Sequence, residues 1–555
     1  MPPTRASLFI PDKATPHPIK EQYHAIPTPV NVEKLSMLLK GYTQYDYLVN
    51  GFKNGFALHY EGPNQINYHL PNNKSVIENK DIVYMKIAKE IELGRTEGGF
   101  INKPWDNFFV SPLSLVPKKE PGEYRIIHDL SQPKGFSINS FINDENASVK
   151  YDTFDSVTDL IIKCGPRALI SKCDIKDAFR IIPVRPEDYH LLGFYLEPYY
   201  YYEKVLPMGC RSSCRIFESF SRGLRYIMNK IYTFSNITGI LDDFIMVGPE
   251  QSFECMRGLI AFKTMTKILN VPLKKSKLIL PTTCTDIFGI EVDTVKMQLR
   301  LPKDKIEKAL ALIHIFLSQN DVILRELLRL LGLLNFCCKC VRPGRAFLRR
   351  LWDLTRIPFN KKSLSARVKL TDPAKQDLLA WQLFLKGFNG TSLLLKQIWI
   401  TSSHLHLHTD SSKSVGYGCT FNDSWFHGVW SDELKQLNIV ILELIPIIMA
   451  IYMFSDMLSN KCVVFHTDNL ALTQIINQKT SKCSITMCLV RKMVVKTLVN
   501  NINIRAQFIP GSKNVICDML SRLKVQEAKQ NAPWLNPTPM PIPQHLRPSL
   551  LLRPF

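Results

Sequence analysis

The spacing of hydrophobic and polar residues changes along the chain, which predicts several domains rather than one. Helix-like segments occupy 32–48 and 81–93, and Gly94 closes the second. From about 100 to 300, short apolar runs alternate with turn signals and occasional helices, a pattern typical of a mixed α/β domain. After Pro302 the apolar residues recur at helical spacing, which predicts a helical region carrying Ile306, Leu310, Ile313 and Leu317, then Leu324, Leu327, Leu328 and Leu331.

Alternation of strands and helices returns between 400 and 525. Strand-like runs at 405–410, 416–421 and 425–430 precede an almost wholly apolar segment at 439–454, and another strand follows at 462–467. The apolar segment is too short for a spanning helix, which needs about twenty residues, and its central Glu443 would be costly in lipid. The segment is therefore predicted to be a buried helix in which Glu443 has a functional role. The prolines between Pro533 and Pro554 predict an extended, unpacked tail.

Composition narrows the class of protein. The 555 residues are 45% hydrophobic and 21% charged, which excludes wholesale disorder. A net charge of +21 makes nucleic acid the first candidate partner, with a merely basic surface as the alternative. The arginines at 342, 345, 349 and 350 cluster on a predicted helix, where a solvated face is the alternative to phosphate binding. Fourteen cysteines without a legible secretory signal predict reduced thiols in an intracellular protein, in the cytoplasm or the nucleus.

Acidic residues follow two predicted strands in the first half of the chain. Asp174 ends the apolar run 168–173, and Asp242 with Asp243 sits at the tip of a predicted hairpin over 239–248. Like charges at a turn repel, and carboxylates at neighbouring strand ends can hold two Mg²⁺ ions for phosphoryl transfer. Single surface acids are the alternative. Between them, Pro207 and Gly209 form a tight turn before a helix predicted to begin near Ser212.

Five motifs follow one another along the chain: Ser111-Pro-Leu-Ser-Leu-Val-Pro-Lys-Lys, Tyr124-Arg-Ile-Ile-His-Asp-Leu-Ser, Cys173-Asp-Ile-Lys-Asp-Ala-Phe, Leu206-Pro-Met-Gly and Leu241-Asp-Asp. In this order they resemble the fingers and palm of a reverse transcriptase. Among such enzymes the chain is most similar to those of DIRS-type retrotransposons, the tyrosine-recombinase class. Residues 128–135, 179–184 and 191–194 add to this likeness, which extends over about 30–545.

The resemblance implies a role for particular residues. Asp174, Asp242 and Asp243 would be the polymerase carboxylates and metal ligands, and Phe179 would be the gate against a ribose 2′-hydroxyl. Nucleotide contacts would come from Lys118 or Lys119, Arg125, Met208 and Gly209. Lys274 or Lys275 would lie near the leaving pyrophosphate, and Phe288-Gly289 resembles the primer-grip turn. Ile240 and Met208 depart from the residues usual in the family, which affects nucleotide handling rather than metal binding.

A second set of acids follows the later strands. Asp410 ends the run His404-Leu-His-Leu-His-Thr-Asp, Glu443 lies in the apolar helix, Asp468 follows the strand at 462–467, and Asp518 lies in a final helix. The histidines are best explained as one face of a half-exposed strand rather than as metal ligands. The order Asp, Glu, Asp, Asp, with the motifs Thr409-Asp-Ser-Ser and Thr467-Asp-Asn, resembles a ribonuclease H domain, and Pro510-Gly-Ser-Lys-Asn before the last acid adds to the likeness. The resemblance implies that these four acids hold two Mg²⁺ ions, which activate water against RNA.

Together these features predict an α/β multidomain protein, a right-hand polymerase followed by a ribonuclease H-like domain. The predicted divisions are an N-terminal extension (1–95), fingers and palm (96–300), helical thumb and connection (301–398), ribonuclease H-like domain (399–525) and Pro-rich tail (526–555). The expected enzyme is an RNA-directed DNA polymerase with ribonuclease H activity. Its cofactor would be Mg²⁺, two ions per site, with Mn²⁺ as a substitute.

The expected partners follow from that activity. They are an RNA template, a DNA primer, an RNA–DNA hybrid and dNTPs, with no membrane, and with recombinase and capsid functions on other chains. A catalytically decayed or domesticated nucleic-acid-binding protein is the alternative.

Overall fold

The computed structural model describes residues 26–64, 69–118, 122–356, 363–387, 391–393, 400–401, 407–459, 461–500 and 502–553. The chain divides into two units, the first comprising Met1–Cys164 and Ala168–Thr282 and the second Gly165–Arg167 and Thr283–Phe555. Both units combine helices with sheets, so the predicted α/β multidomain class is confirmed. The finer domain limits remain predictions.

Among the described residues of the first unit, four helices precede the first strand, and further helices alternate with the strands that follow. Its helices are α1 Val32–Leu38, α2 Tyr45–Asn54, α3 Lys74–Ile77, α4 Lys80–Glu92, α5 Asp144–Ala147, α6 Phe154–Cys164, α7 Ser213–Lys230 and α8 Glu254–Ile268. Its strands are β1 Thr96–Phe100, β2 Leu113–Pro117, β3 Tyr124–His128, β4 Leu169–Asp174, β5 Gly193–Leu196, β6 Tyr199–Glu203, β7 Ile237–Ile240, β8 Asp243–Gly248 and β9 Ile279–Thr282.

One antiparallel sheet of the first unit positions the acids, with the strand order β7-β8-β4-β9. Its central strand β8 is apolar without alternation because both of its faces are covered, and Phe244, Ile245, Met246 and Val247 are all fully buried. Helices α6 and α8 pack on this sheet. The aromatic side chains of α7, including Phe217 and Phe220, belong to the same buried core. The sheet therefore supports the residues at the ends of its inner strands β4 and β8 from a buried core.

The N-terminal helix prediction is wrong in one respect. The segment 32–48 is not one helix, because α1 ends before Gly41, whose φ of +83° breaks the helical course, and α2 begins at Tyr45. The helix predicted at 81–93 is present as α4, and Gly94 with a φ of +69° follows it. The helix predicted near Ser212 is α7, which has Ser212 as its N-cap residue.

The second unit begins with small sheets and amphipathic helices. Its first strands are β10 Cys284–Ile287, β11 Ile290–Asp293, β12 Gln298–Arg300, β13 Asp321–Ile323, β14 Arg367–Lys369, β15 Thr391–Leu393 and β16 Ile400–Thr401. Its first helices are α9 Lys303–Leu317, α10 Leu324–Cys337, α11 Arg349–Asp353 and α12 Asp372–Gly387. The predicted helical region is thus confirmed, while the arginines of 342–350 are shared between a 3₁₀ turn at 342–347 and α11 rather than placed on one helix.

The later part of the second unit contains two three-stranded sheets. Strands β17 His408–Ser411, β18 Gly416–Phe421 and β19 Ser424–Val429 form an antiparallel sheet, and β20 Cys462–Thr467 pairs in parallel with both β16 and β21 Asn503–Phe508. Strand β17 lies beside β20. The helices are α13 Asp432–Lys435, α14 Ile439–Met453, α15 Ser455–Leu458, α16 Leu470–Gln478, α17 Ser484–Val499, α18 Val515–Ser521, α19 Val525–Asn531 and α20 Pro548–Leu551.

Most strand and helix predictions for this part are confirmed. The runs predicted at 416–421 and 462–467 are β18 and β20, and the apolar segment is the buried helix α14, which contains Pro446. The run predicted at 405–410 begins outside the described residues, so only its end is seen, as the start of β17. No helix in the described ranges is long and apolar enough to cross a membrane.

The C-terminal tail is packed, contrary to the prediction from its prolines. Ala532 and Leu535 are buried in a cluster with Trp425 and Leu520. The Trp425 indole donates a hydrogen bond to the carbonyl of Asn536 at 2.9 Å, and the Met540 amide donates to the Trp425 carbonyl at 2.7 Å. Because the non-proline residues between the prolines retain their N–H groups, Met540 can bond to β19, and further along the tail the chain forms α20.

Candidate active sites

The first acidic cluster lies where β4 ends and β8 begins. Asp174, the last residue of β4, faces Asp243, the first residue of β8, across the antiparallel ladder. Asp242 occupies the turn between β7 and β8, and its carbonyl accepts the Ile175 N–H at 3.0 Å. Antiparallel pairing of these two strands therefore brings together the three carboxylates that the sequence indicated as a set.

Two lysines neutralise part of this cluster. The Lys277 ammonium donates a hydrogen bond to the Asp174 carboxylate, which is 3% exposed, and Lys172 Nζ lies 3.2 Å from Asp243 Oδ1. Burial raises the pKa of Asp174, against the lowering effect of Lys277. Burial, followed by the charges of Asp174 and Asp243, raises the pKa of Asp242 to about 6. The cluster thus holds more negative charge than its surroundings neutralise.

The donor set suits a hard divalent cation, because Mg²⁺ prefers carboxylate oxygens. The mutual repulsion of Asp174, Asp242 and Asp243 is what a bound cation would relieve. Within the described ranges, however, no three carboxylate, histidine or cysteine side chains are arranged as a ready-made metal site. The residues therefore fit the ion by chemistry and proximity, and binding would require the side chains to rearrange around it.

Lys277 is a candidate functional residue that the sequence analysis missed. The resemblance implies Lys274 or Lys275. Lys274 contacts Asp174 through its backbone, whose N–H donates to the Asp174 carbonyl at 2.8 Å, whereas Lys277 bonds the Asp174 carboxylate with its side chain. A 3₁₀ turn covers 275–277. Residues three apart in such a turn lie on the same side, and Lys277 is three residues after Lys274. The spacing of the lysines could therefore have indicated Lys277.

Phe179, predicted as the nucleotide gate, lies on a short 3₁₀ turn that follows β4. The turn covers 178–181 and is preceded by Asp177 in the left-handed region with a φ of +56°. The Phe179 ring packs edge-on against Phe217 of α7, with ring centroids 5.6 Å apart. The next residue, Arg180, pairs with the partly buried Glu90 and with the buried Glu203, and these ion pairs anchor the turn.

The loop at 206–209 docks on the end of β3. The His128 N–H donates to the Met208 carbonyl at 2.9 Å. Gly209 has a φ of +132°, and a Cβ built there would lie 1.9 Å from the His128 carbonyl oxygen. This position therefore requires glycine both for its backbone conformation and for the close approach. The sequence indicated the tight turn, but not its partner.

The predicted fingers cations belong to the β2–β3 hairpin. Arg125 is exposed on β3 opposite Val116, and Lys118 Nζ lies 2.9 Å from Glu123. Lys119 lies outside the described residues. In the second unit, Phe288 and Gly289 form the turn of the β10–β11 hairpin, with φ values of +48° and +78°. Their predicted nucleotide and primer contacts remain predictions.

The second acidic cluster is built from two strands and two helices of the second unit. Asp410 lies on β17, Glu443 on α14, Asp468 directly after β20, and Asp518 on α18. Thr467 Oγ1 lies 3.4 Å from Glu443 Oε2, and Asn514 Nδ2 donates to the Thr409 carbonyl at 2.8 Å. Because β17 lies beside β20, these elements bring the four predicted acids to one place.

Burial and the charges of neighbouring acids raise the pKa of two carboxyl groups in this second cluster. Burial, followed by the charges of Asp468 and Asp410, raises the pKa of Glu443 to about 7. Burial is also the main cause of a raised pKa at Asp410, to which Asp518 and Asp468 contribute. Asp518 is more exposed and has its own partner, Arg522 Nε at 2.9 Å. The donor set again suits Mg²⁺, with Asp518 at the periphery.

Two smaller residues that support these acids are seen in the structure. The Ser521 hydroxyl lies 2.7 Å from Asp410 Oδ2 and is buried, and sequence reasoning did not select it. Its signal was its position three residues after Asp518, on the same side of a helix. Gly511, in the turn that the sequence did indicate, lies so close that a Cβ there would be 2.9 Å from Asp468 Oδ2.

Comparisons with known proteins give distant similarities. No protein-family model matches the chain. A viral polyprotein described as enzymatic, from Cassava vein mosaic virus, is 24% identical over 439 residues, which are 75% of this chain and 61% of that polyprotein. The chain thus spans less than two thirds of this relative.

Solved structures of foamy viral protease-reverse transcriptase are also similar. The dRH form in complex with double-stranded DNA is 14% identical with a TM-score of 0.48, covering 89% of this chain and 84% of that one. A second complex with double-stranded DNA is 14% identical with a TM-score of 0.47, covering 87% and 98%. A complex with RNA/DNA hybrid is 13% identical with a TM-score of 0.45, covering 89% and 64%. These values assign no role to any residue of this chain.

Proposed function

We propose that the chain is an RNA-directed DNA polymerase joined to a ribonuclease H. One observation carries the proposal: each unit brings its own set of carboxylates together, Asp174 facing Asp243 beside Asp242 in the first and Asp410, Glu443, Asp468 and Asp518 in the second. Burial and the neighbouring acids raise the pKa of Asp242 and that of Glu443. Two separate sites that each suit divalent cations fit an enzyme with two phosphoryl-transfer activities. We further propose that the chain comes from a retrotransposon of the DIRS type, whose recombinase and capsid functions lie on other chains.

In the first site, Asp174, Asp242 and Asp243 would hold Mg²⁺, which supplies charge neutralisation at the reacting phosphate. The primer 3′-hydroxyl would release its proton to solvent while its oxygen bonds to the α-phosphorus of a dNTP, and the bond from that phosphorus to pyrophosphate would break. Lys277 would offer an ammonium donor to phosphate oxygens beside Asp174, where preorganised positive charge is most effective. Phe179 would occupy the space that a ribose 2′-hydroxyl needs.

In the second site, Asp410, Glu443, Asp468 and Asp518 would hold Mg²⁺, which supplies an activated water for cleavage of the RNA strand in an RNA–DNA hybrid. The Ser521 hydroxyl would orient the Asp410 carboxylate through its hydrogen bond. Gly511 would leave room for the Asp468 side chain.

Primer extension tests the first activity. The purified chain, an RNA template, a DNA primer, dNTPs and Mg²⁺ should yield extended primer, and Asp242→Asn should abolish it. Asp159→Asn, which removes an exposed carboxylate on α6 in the same unit, should not change the rate. Equal loss in both variants would contradict the assignment of the site.

Cleavage of a labelled RNA–DNA hybrid tests the second activity. Asp468→Asn should abolish RNA cleavage while primer extension persists, whereas Asp423→Asn, at an exposed acid between β18 and β19, should leave both activities intact. The alternative function, a non-catalytic nucleic-acid-binding protein, predicts hybrid binding without extension or cleavage by the unaltered chain under any divalent metal.

A further inference from the structure

The turn that carries Asp242 is conformationally strained. Strands β7 and β8 close with the pair Ile240 and Asp243, so Leu241 and Asp242 form a two-residue turn. Leu241 has a φ of +55°, in the left-handed region that glycine, asparagine or aspartate usually occupies in such turns. A leucine stays in this region only where its surroundings hold it there. The contacts of Leu241 are therefore informative about how Asp242 is placed.

Glu218 of α7 supplies the holding contact. Its Oε2 accepts the Leu241 N–H at 3.0 Å, and its side chain is 2% exposed. The other carboxylate oxygen accepts from Arg225 Nη2 at 2.6 Å and lies 3.4 Å from Arg222 Nε. Arg222 and Arg225 neutralise Glu218, so its carboxylate serves this network of contacts, here called the α7 framework, rather than a metal ion.

Arg225 extends the same framework along β7. It lies seven residues after Glu218, on the same side of α7. Its Nη1 donates to the Gly239 carbonyl at 2.6 Å and lies 3.5 Å from Asp152 Oδ2. Asp152 in turn accepts from Thr238 Oγ1 at 2.8 Å. Three successive contacts thus fix the hairpin arm that ends at Asp242.

Gly239 is what permits the close approach. A Cβ built there would lie 2.6 Å from the Asp243 carbonyl oxygen and 3.5 Å from Arg225 Nη1. On the opposite side, the Asp242 carbonyl accepts the Ile175 N–H from the end of β4. The peptide that bears the Asp242 carboxylate is therefore held between β4 and the α7 framework, with little freedom in either direction.

We propose that Glu218 and Arg225 are positioning residues that set the Asp242 carboxylate for polymerisation by bonding the backbone of its turn. The proposal rests on the polymerase function proposed above. Neither residue touches the reacting atoms. Their effect would pass through the Leu241 amide and the Gly239 carbonyl, and a displacement of about 1 Å at a catalytic group can cost about 100-fold in rate.

The test combines activity with hydrogen exchange on the full chain. Glu218→Ala should lower kcat for dNTP incorporation by about 100-fold, raise the Mg²⁺ concentration needed for half-maximal extension and leave hybrid cleavage unchanged. Amide exchange of peptides over 237–248 should become faster. Glu218→Gln, which can still accept the Leu241 N–H, should restore most of both properties. Glu254→Ala, which removes the Arg257 ion pair at 2.8 Å on α8, should change neither.

Arg225→Lys provides a second variant should the alanine variant not fold. Lysine keeps the charge but cannot bond Glu218 and the Gly239 carbonyl in the fork that arginine makes, so exchange over 237–248 should again rise. Unchanged exchange in the folded Glu218 and Arg225 variants would overturn the positioning role, whatever the activity. If the unaltered chain extended no primer while exchange still rose, the polymerase function would fail and the catalytic purpose of the framework would fail with it. Unchanged kcat with faster exchange would also overturn the proposal.

Discussion

Asp174 and Asp243 face each other across the β4–β8 ladder, and each carboxylate is met by a different lysine. Lys277 bonds Asp174 and Lys172 lies beside Asp243. The two cations are not equivalent, since Lys172 lies within β4 itself whereas Lys277 reaches the strand end from the turn before β9. The Lys277 side chain is 44% exposed and that of Lys172 15%, so Lys277 is the better candidate for contact with a substrate phosphate.

We expect Lys277→Met to lower the rate of primer extension by at least about tenfold, because a preorganised cation beside the reacting phosphate would be lost. Single-nucleotide incorporation on an RNA template measures this. Lys275→Met, which removes an exposed cation from the same 3₁₀ turn, is the matched control and should stay within about twofold of the unaltered chain. Equal rates for the two variants would contradict a role for Lys277.

Gly209→Ala should disrupt the loop that docks on β3. The new Cβ would collide with the His128 carbonyl, and a φ of +132° is unfavourable for alanine, so primer extension should fall strongly and the first unit should lose about 2–4 kcal/mol of stability. Gly135→Ala is the control, because Gly135 has a φ of +84° but open space around it, and should cost only about 1 kcal/mol. Urea unfolding of both variants separates the collision from the backbone preference.

Ser521→Ala should weaken the second site selectively. The hydroxyl bonds a charged carboxylate, and such hydrogen bonds contribute about 1.5–3 kcal/mol, so hybrid cleavage should fall by roughly tenfold or more while primer extension stays unchanged. The comparison variant is Ser424→Ala, whose hydroxyl lies 3.2 Å from the exposed Asp423 in the same unit. Cleavage at the original rate in the Ser521 variant would show that Asp410 is oriented without it.

The sequence places the seven acids after predicted strands, at a hairpin tip or in predicted helices, and the resemblance to reverse transcriptases and ribonuclease H implied which of them belong together. The sequence could not predict which side chains bond to these carboxylates. The contacts of Lys277 and Ser521 with the acids depend on the geometry of one turn and one helix. The sequence placed Arg350 in a cluster of arginines, but its side chain lies 3.5 Å from the Asp377 carboxylate. The packing of the tail was not predicted because proline content indicates only how stiff the chain is locally. It does not show that Ala532 and Leu535 pack against Trp425.

Asp377 and Arg491 form a buried ion pair that should matter for stability rather than for activity. Arg491 Nε lies 3.1 Å from Asp377 Oδ1, and the side chains are 2% and 1% exposed. Asp377→Ala would leave a buried guanidinium uncompensated and should cost the second unit about 3–5 kcal/mol. Urea unfolding followed by hydrogen exchange in α12 and α17 measures this. Asp353→Ala, at the half-exposed pair with Arg349, should cost less than about 1 kcal/mol.

His128 should make the stability of the first unit depend on pH. The ring is 2% exposed, Nε2 lies 3.1 Å from the Gly193 carbonyl oxygen, and Nδ1 has no hydrogen-bond partner in the described part of the chain. Burial lowers the pKa of His128 to about 4, below the 6.5 of an unfolded chain. Its contribution is therefore present above pH 6.5 and is lost as the pH falls towards 4.

The expected loss is about 3 kcal/mol, because each unit of pKa difference corresponds to about 1.4 kcal/mol. Urea unfolding between pH 7.5 and pH 4, followed by hydrogen exchange over 124–139, measures the slope. His128→Gln keeps a donor for the Gly193 carbonyl but cannot take up a proton, so its stability should fall less steeply by this amount. Because other carboxyl groups titrate equally in both proteins, the difference between the two curves isolates the imidazole. Parallel curves would mean that His128 is not held neutral by burial.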